Sequence, residues 1–162
     1  MSARPLVAGI GNIFLGDDGF GVEVARRLAG QEQLAGVHVE DFGIRGVHLA
    51  YELLNGYDPV IMVDAAPRGG DPGTVYVIEA APESEDGEEH QGHDALLDAH
   101  DLRPEGVLSL VRAMGGSLGR VYVVACEPSC VEERMGLSEE VAGAVDVAVR
   151  TVCDLATSKG QS

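Results

Sequence analysis

Apolar positions along this chain change period several times, and the changes mark its elements. Leu6-Val7-Ala8-Gly9-Ile10 is an unbroken apolar run of strand length, followed at once by turn residues. From Phe20 to Leu28 the residues Val22, Val24, Ala25 and Leu28 recur near helical spacing, and Gly30 stops the run. The alternation repeats with a strand over Val37–Phe42, a helix from Val47 to Leu54 ending at Gly56, and the run Val60-Ile61-Met62-Val63, which stops abruptly at Asp64. Thr74–Ile78 reads as a fourth strand after the turn-rich segment Pro67–Gly73. Asp101 is placed to cap a helix running to Met114, with Pro104 tolerated in its first turn and Gly115-Gly116 ending it. A strand over Arg120–Ala125 follows, and Ser138, backed by Glu139 and Glu140, caps a last helix to Ala156.

Strands alternating with helices predict an α/β fold, a single three-layer α/β/α domain over residues 1–162 with a mainly parallel five-stranded sheet covered on both faces. The segment Pro67–Gly73 is too short to hold a crossover helix, so strands three and four are expected to form an antiparallel pair. Glu79–Asp98 is acidic and without periodicity, which predicts a mobile surface loop. The tail from Thr157 is expected to fray.

In such a sheet, ligand groups gather outside the carboxyl ends of the strands. The turn after strand one carries Gly9, Gly11 and then the adjacent acids Asp17 and Asp18, and Asp64 ends strand three at the same edge. A dinucleotide fingerprint is one reading of Gly9 and Gly11, with Glu40 and Asp41 as the ribose acids. Phe14 stands where its third glycine belongs, and two carboxylates would face the pyrophosphate. Hard oxygen donors suit a cation or general acid and base work instead, although a first-turn acid and a solvated neighbour would give the same sequence. A borderline metal such as nickel or zinc also needs nitrogen. Of the five histidines, His100, just before the capped helix, is best placed; His38 and His48 lie in or near regular elements, and His90 and His93 in the acidic loop.

Composition narrows the partners. The formal charge is −16, with Lys159 the lone lysine, and there are 3 Phe, 4 Tyr and no Trp. Phosphate backbones and anionic lipid surfaces are therefore poor ligands, and no aromatic platform exists for nucleic acid. No run approaches the length of a membrane span or of a secretory signal. The three cysteines, Cys126, Cys130 and Cys153, form no CxxC pair, which fits reduced thiols in the cytoplasm. With no Gly-x-Ser-x-Gly elbow and no histidine obviously paired with a cysteine, a serine or cysteine nucleophile is disfavoured.

Gly9-Ile10-Gly11-Asn12 with Asp17-Asp18-Gly19-Phe20-Gly21, then Asp41-Phe42-Gly43 with Gly46, then Asp64-Ala65, resemble the hydrogenase maturation endopeptidases. His100-Asp101-Leu102, Glu127-Pro128 and Gly136-Leu137-Ser138 are similar to the family's later motifs, in the same order. The resemblance covers Leu6 to about Val152. It implies an α/β enzyme that removes a C-terminal extension from the large-subunit precursor of a nickel–iron hydrogenase after nickel insertion. It also implies metal binding by Asp18, Asp64 and His100, with Asp17 either orienting the site or acting as base. The nickel would be held by the precursor, so that three protein ligands complete its coordination. Where the family commonly has a second glycine and a threonine in the middle motif, this chain has Phe42 and Ile44, positions tied to substrate contact. Two rival functions are a non-catalytic nickel-binding accessory protein using the same three residues, and a dinucleotide-binding protein.

Overall fold

A computed structural model describes residues 4–80 and 103–157. Five strands make one sheet: β1 (Leu6–Ile10), β2 (His38–Gly43), β3 (Val60–Ala65), β4 (Val75–Ala80) and β5 (Val121–Cys126), in the order β2-β1-β3-β5-β4. The helices are α1 (Phe20–Leu28), α2 (Gly46–Leu53), α3 (Pro104–Ala113), α4 (Glu139–Ala142) and α5 (Val145–Thr157), with 3-10 turns at Gly16–Gly19 and Glu32–Leu34. β1 is parallel to β2 and β3, and β3 is parallel to β5. Only β4 runs the other way, as the short connection requires, but its partner is β5 and not β3. The connection steps over the end of β5: Ala66 N–H donates to the Cys126 carbonyl, and Glu127 N–H to the Thr74 carbonyl. Two strand spacings, about 10 Å, are easily spanned by that loop, so its length decides direction without deciding neighbour.

The two faces of the sheet are separately covered. Val7, Ile61, Val63 and Val124 pack with Phe20, Val24 and Leu28 of α1 and with Val145, Ala148 and Val152 of α5. Leu6, Ala8, Ile10, Val60 and Met62 pack with Leu49 and Leu53 of α2 and with Val107 and Val111 of α3. Because successive strand residues point to opposite faces, this parity sends Asp64 to the α2/α3 side with Val60 and Met62.

Three boundaries differ from the sequence pattern. Arg103 stands at the N-cap of α3 in extended backbone without a side-chain cap, Pro104 follows at the first position, and Asp101 lies outside the described residues. The last helix is interrupted between Ala142 and Val145, after Ser138 has capped its first turn by accepting from Val141 N–H at 3.4 Å. Glu79 and Ala80 close β4 and do not begin the acidic loop, whose remainder lies outside the described residues. No helix among the described residues is long and apolar enough to cross a membrane.

Candidate active site

The site begins with a close approach that only glycine allows. A Cβ on Gly21 would overlap the carbonyl oxygens of Val63 and Ile10, so α1 can lie directly against the ends of β1 and β3. Gly11, at φ +134°, could carry no Cβ without striking the Asp18 carbonyl. The turn after β1 is thereby folded onto itself, and Asn12 N–H donates to Asp18 Oδ2 at 2.8 Å. A backbone donor that a pyrophosphate would need is already held by a carboxylate, which tells against the dinucleotide reading.

Asp18 and Asp64 line one cleft of about 550 Å³ at the carboxyl edge of the sheet. Its floor includes Val123 and Ala125 of β5 and Ile78 of β4; Arg68, Arg103 and Glu105 bring further charge to its walls. Asp64 is 8% exposed and accepts one hydrogen bond from the described residues, from Ala65 N–H to Oδ1 at 2.8 Å. Burial pushes its carboxyl well above the ordinary carboxylate range, and the nearby Asp18 charge pushes it further, against the backbone bond and the Arg103 charge. Asp18 is half-buried and also raised, by burial, with the Asn12 N–H opposing. Two desolvated acids in one cleft, each accepting a single hydrogen bond from the described residues, repel each other when both are ionised, and a cation bound there would offset that repulsion. No group of three or more His, Cys, Asp or Glu side chains among the described residues is arranged to hold a metal. His100, the expected nitrogen donor, lies outside the described residues, as do His90 and His93.

Asp17, one residue before Asp18, does not line the cleft. It is fully buried, and its carboxylate accepts from Ser129 N–H (2.8 Å), Cys130 N–H (2.9 Å), Ser138 N–H (2.6 Å) and the Ser138 hydroxyl (2.9 Å). Burial alone would raise its pKa, yet these bonds together hold it below the ordinary value. Asp17 N–H donates to the Cys130 carbonyl and Gly16 N–H to the Arg134 carbonyl, so the 3-10 turn bearing Asp18 is fastened to the loop after β5 from both directions. Glu127 plays a similar part on the other side. Its Oε1 accepts from Arg68 N–H at 2.8 Å, Gly70 N–H at 3.2 Å and the Tyr76 hydroxyl at 2.8 Å, which fixes the loop carrying Arg68. A buried acid directly after an apolar strand is the same signal that marked Asp64, so this role was open to sequence reasoning. Arg103 had no such signal.

Phe42 is completely buried in the core, out of reach of any substrate, whereas Ile44 is 58% exposed. The Cys126 thiol is pushed up to about 11, by burial first and then by the charges of Asp17 and Glu127, which makes it unfit as a nucleophile near neutral pH.

The chain is similar in sequence and fold to known proteins. The hydrogenase maturation protease family defined around HycI matches residues 22–155. The chain belongs to that family. The hydrogenase expression/formation protein HupD of Rhizobium leguminosarum is 32% identical over 97% of this chain and 76% of its own length. A putative hydrogenase maturation protease of Methanocaldococcus jannaschii is 32% identical over 91% of this chain and 92% of its own. The crystal structure of a hydrogenase 2 maturation peptidase from a Thaumarchaeota archaeon superposes with a TM-score of 0.69 at 31% identity, covering 94% of this chain and 97% of that one. As a member of the hydrogenase maturation protease family, the chain is a peptidase, and the cleft holding Asp18 and Asp64 is the candidate seat of its chemistry.

Proposed function

We propose that this peptidase removes a C-terminal extension from the large-subunit precursor of a nickel–iron hydrogenase after nickel has been inserted, and that it recognises the nickel held by its substrate. The observation that carries this reading is the pairing of Asp18 and Asp64 in one cleft, both with raised pKa and each accepting a single hydrogen bond from the described residues. A cation carried in by the precursor would relieve the repulsion between them and return both to the ionised state. With His100 as a third donor, these residues complete the coordination of an ion whose other ligands belong to the precursor. Such an ion would supply Lewis acidity there, and in the hydrolysis water adds across the scissile C–N bond to leave a carboxylate and an amine.

Asp17 acts on this chemistry by holding Asp18 in place. It is fully buried, lies outside the lining of the cleft and accepts four hydrogen bonds, so its role is to orient the turn and not to act as general base.

The test is single-turnover cleavage of matched precursors, one loaded with nickel and one without. Shortening of the loaded precursor alone is expected, with little metal retained by the isolated peptidase. Equal cleavage of both, or a tightly held zinc required for activity, would reject substrate-held nickel. Binding of the loaded precursor without shortening would favour the accessory-protein reading instead.

A further inference from the structure

α2 is apolar on both of its faces. Gly46, Leu49, Ala50 and Leu53 are buried against the sheet and α3, as a surface helix requires. On the outer side, Val47, Tyr51 and Leu54 recur at the spacing of one helical stripe and are 39%, 61% and 40% exposed. His48, Glu52 and Asn55 form a polar stripe beside them. A surface helix normally confines its apolar residues to the core side, and one that is apolar all round belongs in an interior or under a partner. α1 shows the ordinary pattern in the same molecule, with Glu23, Arg26 and Arg27 outward.

The position of the stripe indicates what covers it. α2 starts directly after β2, at the carboxyl edge where Asp18 and Asp64 stand, and Ile44, 58% exposed, lies between the Gly43 carbonyl that accepts from Gly11 N–H and the start of the helix. The apolar surface therefore runs down from the edge of the cleft. A second copy is an unfavourable occupant, because each copy carries a formal charge of −16.

We infer that Ile44, Val47, Tyr51 and Leu54 form a docking surface for the body of the protein substrate, which meets them with an apolar, non-acidic face. The inference rests on the proposed function, since it takes the hydrogenase precursor as substrate. Docking there would hold the precursor while its chain end reaches the cleft, so the surface should govern affinity and leave the bond-breaking step alone.

The experiment measures single-turnover cleavage of nickel-loaded precursor across a range of enzyme concentrations, together with direct binding. Val47→Glu/Tyr51→Glu should raise the half-saturating enzyme concentration about tenfold or more, the size expected when interface anchors are lost, while the maximal rate stays within about twofold of wild type because no group in the cleft is altered. Both positions are exposed, and thermal melts should show the fold unchanged. Asn55→Asp adds charge to the polar stripe of the same helix and should behave as wild type. An unchanged half-saturating concentration in the double variant, or an equal rise in Asn55→Asp, would overturn the docking surface. So would sedimentation showing a wild-type dimer that the double variant dissociates while its half-saturating concentration stays put. Wild-type protein that binds the loaded precursor through this surface without cutting it would keep the docking inference and reject the proposed reaction.

Discussion

Asp17 and Asp18 are neighbours in sequence with opposite surroundings. The Asp17 carboxylate is wholly buried, accepts four hydrogen bonds from a loop more than a hundred residues away, and has its pKa lowered. The Asp18 carboxylate accepts one backbone bond, faces a cleft shared with Asp64, and has its pKa raised. Burial acts in the same direction on both acids; the number of donors decides the outcome. A buried acid with four donors fastens structure, whereas Asp18 and Asp64, each with one donor among the described residues, share a cleft in which each charge disfavours the other.

The largest expected effect comes from breaking the unsatisfied side. Asp64→Asn should lower single-turnover cleavage of nickel-loaded precursor by about a thousandfold, the upper range for losing one preorganised electrostatic group, and Asp18→Asn should do the same. Stability should move the other way. Because the folded pKa of Asp64 lies above its ordinary value of 3.8, wild-type stability is favoured while the group is protonated and declines as pH rises through the raised value. Asp64→Asn removes that decline, so its melting temperature near neutral pH should equal or exceed that of wild type. Cleavage near the wild-type rate would detach Asp64 from the chemistry.

Breaking the satisfied side should reverse the balance. Asp17→Ala leaves three backbone N–H groups and a hydroxyl without their acceptor, and unfolding in urea should show a loss of about 3 kcal/mol, since each unmet buried donor costs on the order of 1 kcal/mol or more. The pH dependence sharpens the contrast. The folded pKa of Asp17 lies below 3.8, so its contribution is present above that value and is lost as pH falls through the lowered one. Melts of Asp17→Asn and Asp64→Asn across the acid range should therefore differ from wild type with opposite slopes. Parallel curves would mean that the two acids do not differ as described.

This contrast explains what could be seen in advance. The apolar runs that became β1 and β3, and the span of α1, were legible because a buried strand and an amphipathic helix impose their periods on the sequence locally. Asp64 was legible for the same reason, as a charge ending an apolar run at the edge where ligands gather. The place of β4 was not, because a short connection sets the direction of a strand but leaves open whether another strand slips in beside it. Nor was the role of Asp17. Its partners Ser129, Cys130 and Ser138 carry no pattern that points back across more than a hundred residues, so the sequence left open whether Asp17 orients the site or acts as base. The buried position of Phe42 was hidden in a similar way, inside a motif whose neighbours Asp41 and Ile44 are both accessible to some degree.

The smallest expected effect tests how finely the fastening is built. Ser138 joins the two roles: its hydroxyl donates to Asp17 Oδ2 at 2.9 Å, while its oxygen accepts from Val141 N–H at 3.4 Å to cap α4. Ser138→Ala removes both and leaves the Ser138 N–H bond to Asp17 intact, so Asp17 keeps three of its donors. The cost should be about 1 kcal/mol, typical for one cap and one hydrogen bond of which the cap is long. Asp18 should hardly move, because the backbone bonds from Ser129, Cys130 and Ser138 still hold the turn, and the maximal cleavage rate should stay within about twofold of wild type. If Ser138→Ala instead lowers that rate as far as Asp17→Ala does, the hydroxyl and not the backbone is what positions the turn. The fastening would then depend on one side chain, and Asp17 and Ser138 would have to be treated as a single positioning pair.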